Sequence, residues 1–408
     1  MKGVPRETTA IRASYVAFAG IGVINATWAS RIPQVKAQLG LSSSGLGLVL
    51  LATAAGSLVS LPAAGPLVVR LGSERTLRWV SLLSASGVVV AAFGSRTSVA
   101  AVVVGLFMIG LAAGIWDVAV NVQGARVEQQ VGRPLMSRFH AWYGVGTVMG
   151  AVVGVAMVAA RISVTVDLLV LACVLPAAIW PACRRFLSDS DHLEPHEHEA
   201  ARSHNPWRER RTLLIGLILL AFALTEGSGN DWISVSMIQG HHVAPVLGTV
   251  AYGLFLAMMT VSRWNGPHLL ERIGRVRTLR LLVLIAVAGL LVFIFTPWVP
   301  LAYLGVALWG VGASLGFPVG MSAGADEPAL AAPRVGVIAS IGYVAFLGGP
   351  PLIGLVASSL GLPHALALVI VPLLPAAVIA TVAAPLVRST GVEGQDAPTR
   401  PAFGAADR

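Results

Sequence analysis

Charge is scarce in this chain. Asp, Glu, Lys and Arg make up 12% of its 408 residues, against about a quarter in an ordinary soluble protein. With 56% hydrophobic residues and a mean hydropathy of +0.78, that shortage excludes a water-soluble globule and makes lipid the solvent. Cysteine is scarcer still. Cys173 and Cys183 are the only two, too few for a disulfide framework or a thiolate metal quartet. Also missing are a Walker loop, zinc-ligand spacing, and a G-x-G-x-x-G following a strand. No enzymatic activity, cofactor or metal is therefore expected, and any energy must come from protons or another ion gradient rather than ATP.

Long apolar windows fill the chain, each able to cross roughly 30 Å of hydrocarbon as a helix. Twelve are expected, near 13–31, 46–69, 79–95, 99–123, 141–160, 164–181, 212–236, 246–264, 279–296, 299–323, 335–358 and 362–387. The apolar run at the N-terminus follows Lys2, Arg6 and Arg12, as in a signal peptide, but eleven more spans follow and it reads as a retained first helix. The formal net charge of +9 does not mark a nucleic-acid face. Of 28 Lys and Arg residues, only Arg31, Lys36, Arg96 and Arg161 fall on the side away from the termini. Such asymmetry sets membrane topology and puts both termini in the cytoplasm. The expected location is a multi-pass protein of a bacterial-type cytoplasmic membrane, with the lipid bilayer and a small-molecule substrate as partners, no nucleic acid, and a monomeric state.

One composition break interrupts the apolar pattern. Residues 184–211 hold Asp189, Asp191, Glu194, Glu197 and Glu199, then Arg208, Arg210 and Arg211, and read as a cytoplasmic linker. His192, His196, His198 and His204 sit among these carboxylates; with no fold to fix four ligands, a solvated linker outweighs a metal site. The expected organisation is a six-helix bundle over 1–183, this linker, a second six-helix bundle over 212–388, and a disordered cytoplasmic tail over 389–408.

The two bundles share a pattern. The basic turn Gly65-Pro66-Leu67-Val68-Val69-Arg70-Leu71-Gly72-Ser73-Glu74-Arg75 returns two hundred residues later as Gly266-Pro267-His268-Leu269-Leu270-Glu271-Arg272-Ile273-Gly274-Arg275. In the same register, Gly105, Gly110, Ala113, Gly124, Ala125, Tyr143 and Gly154 meet Gly305, Gly310, Ala313, Gly324, Ala325, Tyr343 and Gly354. One unit is used twice. Glycines four apart, as at Gly146, Gly150 and Gly154, form small-residue ridges that let helix backbones approach in lipid, and are read as packing rather than binding positions.

Two parallel six-helix repeats, each with a basic turn between its second and third spans, resemble the major facilitator superfamily, whose turn signature is roughly G-x-x-x-D-R-x-G-R-R. The second copy has Gly266 one residue early, then Glu271, Arg272, Gly274 and Arg275. The first keeps Gly65, Arg70 and Gly72 but has Val69 in place of the acid, so an ionic latch built on that acid is not expected in the N-terminal half. A narrower similarity, to the MosC-like branch that includes YbjJ and neighbours the fucose-permease-like sugar transporters, rests on Trp28-Ala29-Ser30-Arg31-Ile32-Pro33, Asp117-Val118-Ala119-Val120-Asn121-Val122-Gln123-Gly124 and Arg133-Pro134-Leu135-Met136-Ser137-Arg138-Phe139-His140-Ala141. The resemblance implies an all-α membrane fold of twelve helices in two pseudo-symmetric bundles. It also implies a central cavity lined by spans 1, 4, 7 and 10, with contributions from 2, 5, 8 and 11.

Intramembrane carboxylates are costly and usually face a cavity or a partner. Three stand out: Asp117, Glu226 and Asp231. Asp117 and Asn121 share a helix face, as do Glu226 and Asn230, with Gln123 beside the first pair. Burial disfavours the charged form of a carboxylate, which suits it to load a proton on one side and release it on the other. Asp117 is the first candidate for that role and Glu226 the second, with His140 a candidate relay. For Asp117 a structural pair with Arg138 or His140 is an equal alternative. Asp231 reads as an outer rim residue, and Arg263 and Asn265 as interfacial.

Candidate cavity residues are Asn25, Trp28, Arg31, Asn121, Gln123, Trp142, Tyr143, Asn230, Trp232, Tyr252, Trp309 and Tyr343. Rings beside amides suit the CH and OH faces of a sugar or cyclitol, although each aromatic is as readily explained as bundle core, and Arg31 as an anchor for the end of its helix. The expected function is secondary active transport, symport included, of a small polar solute by alternating access. Efflux of drugs or metabolites by the same fold, or a membrane sensor that transports nothing, are the alternatives.

Overall fold

The computed structural model describes residues 6–132, 135–187 and 205–386. Among these residues every regular element is helical. Ten helices are long and apolar enough to cross a membrane, and two are double length. Ser43–Thr97 has 55 residues and Pro245–Phe295 has 51, about 80 Å at 1.5 Å per residue, far beyond one bilayer. Each folds back at a single non-helical residue, Gly72 (φ 79°, ψ 156°) and Gly274 (φ 77°, ψ 164°). That backbone region is essentially closed to side chains, which explains why the twin basic turns both carry glycine there.

Divided at those glycines, the described residues run as twelve helices, consistent with the expected twelve spans. They are α1 (Arg6–Gln38), α2 (43–71), α3 (73–97), α4 (Val99–Val131), α5 (Met136–Ala159), α6 (Val164–Cys183), α7 (Arg210–Gly240), α8 (245–273), α9 (275–295), α10 (Val299–Gly324), α11 (Pro328–Leu360) and α12 (Leu362–Ala383). The histidine-rich stretch 188–204 and the tail from residue 387 lie outside the described residues.

The two halves start their helices differently. Ser42, Ser98 and Ser163 cap α2, α4 and α6, each accepting the backbone N–H three residues on. The C-terminal half instead places proline in the first turn of α8, α10, α11 and α12, where the missing N–H costs nothing. Their packing is nevertheless repeated. Gly87 of α3 meets the Gly105 carbonyl of α4, and Gly289 of α9 meets the Gly305 carbonyl of α10. The Trp116 indole donates to the Ala17 carbonyl at 3.2 Å, and the Trp309 indole to the Thr225 carbonyl at 3.0 Å. A tryptophan thus pins α4 to α1 in one half and α10 to α7 in the other.

Two apolar cores follow. One gathers Phe18, Ile109, Trp116, Phe139 and Leu175. The other gathers Phe222, Trp232, Phe255, Phe293 and Trp309, and extends into the first half through Ala26, Ala29, Ile32, Leu46, Leu50 and Ala151. Those six lie toward the helix ends that face away from the termini, and Trp28 packs against both cores. There α2 and α11 touch backbone to backbone: a Cβ on Gly47 would strike the Pro350 carbonyl, and one on Gly354 the Ser43 carbonyl. The halves are sealed on that face. On the termini face, the charged contacts that the structure describes stay within one half.

Candidate functional site

Between the halves lies a polar seam at mid-helix depth. Asp117 of α4 is part-buried and accepts from Asn121 Nδ2 at 3.2 Å, while the same amide donates to the Asp117 carbonyl at 2.8 Å. The four-residue spacing read from the sequence makes this contact. Among the described residues Asp117 forms no ion pair. His140 is exposed and meets Phe18 edge-on, with ring centroids 5.2 Å apart, and Arg138 is exposed. The structural pair entertained for Asp117 is not made.

Asn25 is exposed in the middle of α1, a position that only a water-reached seam explains, and its Nδ2 lies 3.4 Å from the Tyr143 hydroxyl of α5. Tyr143 is within electrostatic reach of Asp117 in its own half and of Glu226 and Arg263 in the other. Tyr343 of α11 feels Asp117 and Tyr143. Two hydrogen bonds and this electrostatic reach set Asn25, Asp117, Asn121, Tyr143, Glu226 and Tyr343 along one seam.

Glu226 is not free. Arg263 Nη2 donates to its Oε2 at 2.7 Å. Arg263, read from the sequence as interfacial, instead turns into the bundle. Its Nε donates to the Ser314 carbonyl at 2.9 Å, and neighbouring Ser262 bonds the Ser314 hydroxyl at 2.7 Å. Ser314 and Leu315 interrupt α10 between Ala313 and Gly316, so the guanidinium sits where the first segment of α10 leaves its last carbonyls open, and a cation is favoured there. Pro318, four residues beyond Ser314, cannot donate to its carbonyl, and this was the sequence sign of the break. Asp231, expected at the rim, is half-buried within electrostatic reach of Tyr252, and Asn230 beside it is half-buried.

Other expected cavity residues lie elsewhere. Trp232 and Trp309 are fully buried in the second core, and Tyr252 is closed to solvent with them. Gln123 is fully buried, its amide without a partner among the described residues. Trp142 is exposed and stacks on Tyr15 at 5.1 Å. Their rings fill or edge the bundles because aromatic area is the cheapest way to pack them. Trp28 alone of the tryptophans stands where the two cores meet. Arg31 leaves the seam altogether: its Nε donates to Asp167 of α6 at 2.5 Å. Asp167 was missed because an acid in the first turn of a helix reads as a favourable end charge rather than a buried partner.

The basic turns also differ from expectation in which residue bonds. Glu271 and Arg272 are exposed, as is Arg70, and a Cβ at Gly65 would meet open space, whereas Gly266 packs on Leu315. Arg275 makes the latch, donating to Asp326 at 2.7 Å and to Ser322 at 2.8 Å. Arg211 Nη2 reaches the other oxygen of Asp326 at 2.8 Å. In the first half, Glu128 instead accepts the Leu135 and Met136 N–H groups.

Two pseudo-symmetric six-helix halves around a polar seam, closed at one face, are the architecture of a multi-pass membrane transporter. Residues 13–345 match the sequence profile of the Major Facilitator Superfamily, and the chain belongs to it. It is 32% identical to "Uncharacterized transporter y4wD" of Sinorhizobium fredii over 83% of this chain and 88% of that one. With "Membrane protein MosC" of Rhizobium meliloti it shares 29% over 86% and 84%. In fold it is similar to a variant of the nucleoside transporter NupG (TM-score 0.74, 14% identity, 93% of this chain and 99% of that one). It is also similar to a bacterial homologue of the lysosomal transporter Spinster crystallised inward-facing (TM-score 0.73, 14% identity, 93% and 97%).

Proposed function

We propose that the protein is a proton-coupled carrier of a small neutral polar solute, such as a sugar or cyclitol, working by alternating access in a bacterial-type cytoplasmic membrane. The observation that carries this reading is Asp117. It is an intramembrane carboxylate with an amide donor but no cation among the described residues, facing tyrosines of both halves. A carboxylate already held by arginine has little reason to exchange its proton, which ranks Glu226 behind Asp117. Asn25, Asn121, Tyr143 and Tyr343 offer hydroxyl and amide partners, and a solute with several hydroxyls uses both their donors and acceptors.

With both termini cytoplasmic, the sealed face is the outer one, and the conformation is inward-facing. The protein then works as a monomer, symporting proton and solute by rocking its halves about the seam. Proteoliposomes with an imposed pH gradient and a panel of labelled hexoses and cyclitols test this. Accumulation of at least one, collapsed by a protonophore, is expected. A panel that never accumulates, alongside efflux of amphipathic dyes, would overturn the solute class.

A further inference from the structure

The Arg263–Glu226 pair is built unlike a simple salt bridge. The guanidinium is fixed at two points, Nε on the Ser314 carbonyl and Nη2 on Glu226. Its Nη1 has no partner among the described residues, and the side chain keeps one fifth of its surface open. Arg263 lies within electrostatic reach of His140 and Tyr143 on α5, in the other half. Thr260, three residues earlier on α8, packs on Gly144 of α5.

We infer that Arg263 is the solute-contacting donor of the seam and that Glu226 sets the charge the solute carries, by holding that donor neutral overall. This rests on reading the seam as the solute site. A free arginine in a low-polarity cavity is an anion receptor, because its attraction for a carboxylate or phosphate is little screened. Paired with Glu226, the same guanidinium can still donate Nη1–H to a hydroxyl or carbonyl oxygen, but a second carboxylate would meet the first at close range. Asp117 across the seam adds to that repulsion whenever it has released its proton. The site therefore accepts neutral oxygens and rejects acids by placing like charge against them. Glu226 acts through Arg263 as a positioning residue.

Removing the charge of Glu226 while keeping Arg263 converts the site into an anion receptor. Purified full-length protein is titrated with glucuronate and with glucose, reading thermal stabilisation and intrinsic fluorescence. Glu226→Gln is expected to bind glucuronate at least about tenfold more tightly than wild type does, the scale of a close charge pair. Arg263→Gln in the same background abolishes the gain, and Arg263→Lys restores part of it. A merely structural role for Glu226 predicts loss of stability and no new ligand. The inference is overturned if Glu226→Gln gains no glucuronate response, or gains one that survives Arg263→Gln. If Glu226→Gln does not fold, Glu226→Thr, also uncharged, takes its place. Should wild type ignore every neutral polyol while Glu226→Gln binds glucuronate, the sugar reading fails and the charge filter stands.

Discussion

Arg31 of α1 donates from Nε to Asp167 of α6 at 2.5 Å, and both side chains are 2% exposed. The pair ties the first and last helices of the N-terminal half near the sealed face. Breaking a buried pair leaves a charge with nothing to meet it, and Arg31 already holds Nη2 without a partner.

Asp167→Asn is accordingly expected to destabilise the protein by roughly 3–5 kcal/mol, read as a lower midpoint of thermal unfolding in detergent. The double change Arg31→Met/Asp167→Leu removes both charges and is expected to recover most of that loss. Equal damage from single and double variants would show that packing, not charge, holds these helices.

The twin turns give a second prediction. Gly72 and Gly274 adopt backbone angles that only glycine enters without strain, and nothing crowds a Cβ at Gly274. Gly274→Ala should cost about 1–3 kcal/mol from conformation alone. A cost below about 0.5 kcal/mol would mean that the turn relaxes freely, outside the strain that region carries.

Asp326 supplies a pH test outside the membrane spans. Burial pushes its carboxyl up, but the hydrogen bonds and charges of Arg275 and Arg211 outweigh this and hold it below the ordinary carboxylate range. A depressed folded value means that its contribution is fully present above the unfolded value of about 4 and is lost as pH falls through the folded one. Wild type should therefore exceed Asp326→Asn in stability at pH 6–7, with the gap closing below about pH 4. A gap unchanged down to pH 3 would contradict the pairing.

The α2–α11 contact makes a conformational prediction. Gly354→Val would drive its side chain into the Ser43 carbonyl, so it should disfavour the sealed state and halt transport while leaving the fold intact. In a background lacking Cys173 and Cys183, a Trp28→Cys probe at the seam is expected to react faster with an impermeant thiol reagent added from the sealed face. Unchanged labelling would mean that this contact does not close the gate.

Much of the fold was legible in the sequence because lipid imposes simple rules. Apolar length gave twelve helices and the paired glycine turns gave the two-fold repeat; Gly72 and Gly274 hold the two hairpins together. The site was legible only where local spacing made the contact, as for Asp117 with Asn121. Arg31–Asp167 spans 136 positions and Arg263–Glu226 spans 37, and no helical period announces either. The aromatics misled for a related reason. Trp309 and Trp232 fill bundle cores, and whether a ring faces core or seam depends on helix rotation, which a chain apolar on all faces does not encode.

The central claim is that Asp117 carries the coupled proton. The most direct measurement is solute-induced proton movement in lightly buffered proteoliposomes, followed with a pH-sensitive dye for wild type and Asp117→Asn. Wild type should alkalinise the medium when solute is added, and Asp117→Asn should give no proton signal while still exchanging labelled for unlabelled solute. A proton signal of wild-type size from Asp117→Asn would contradict the account.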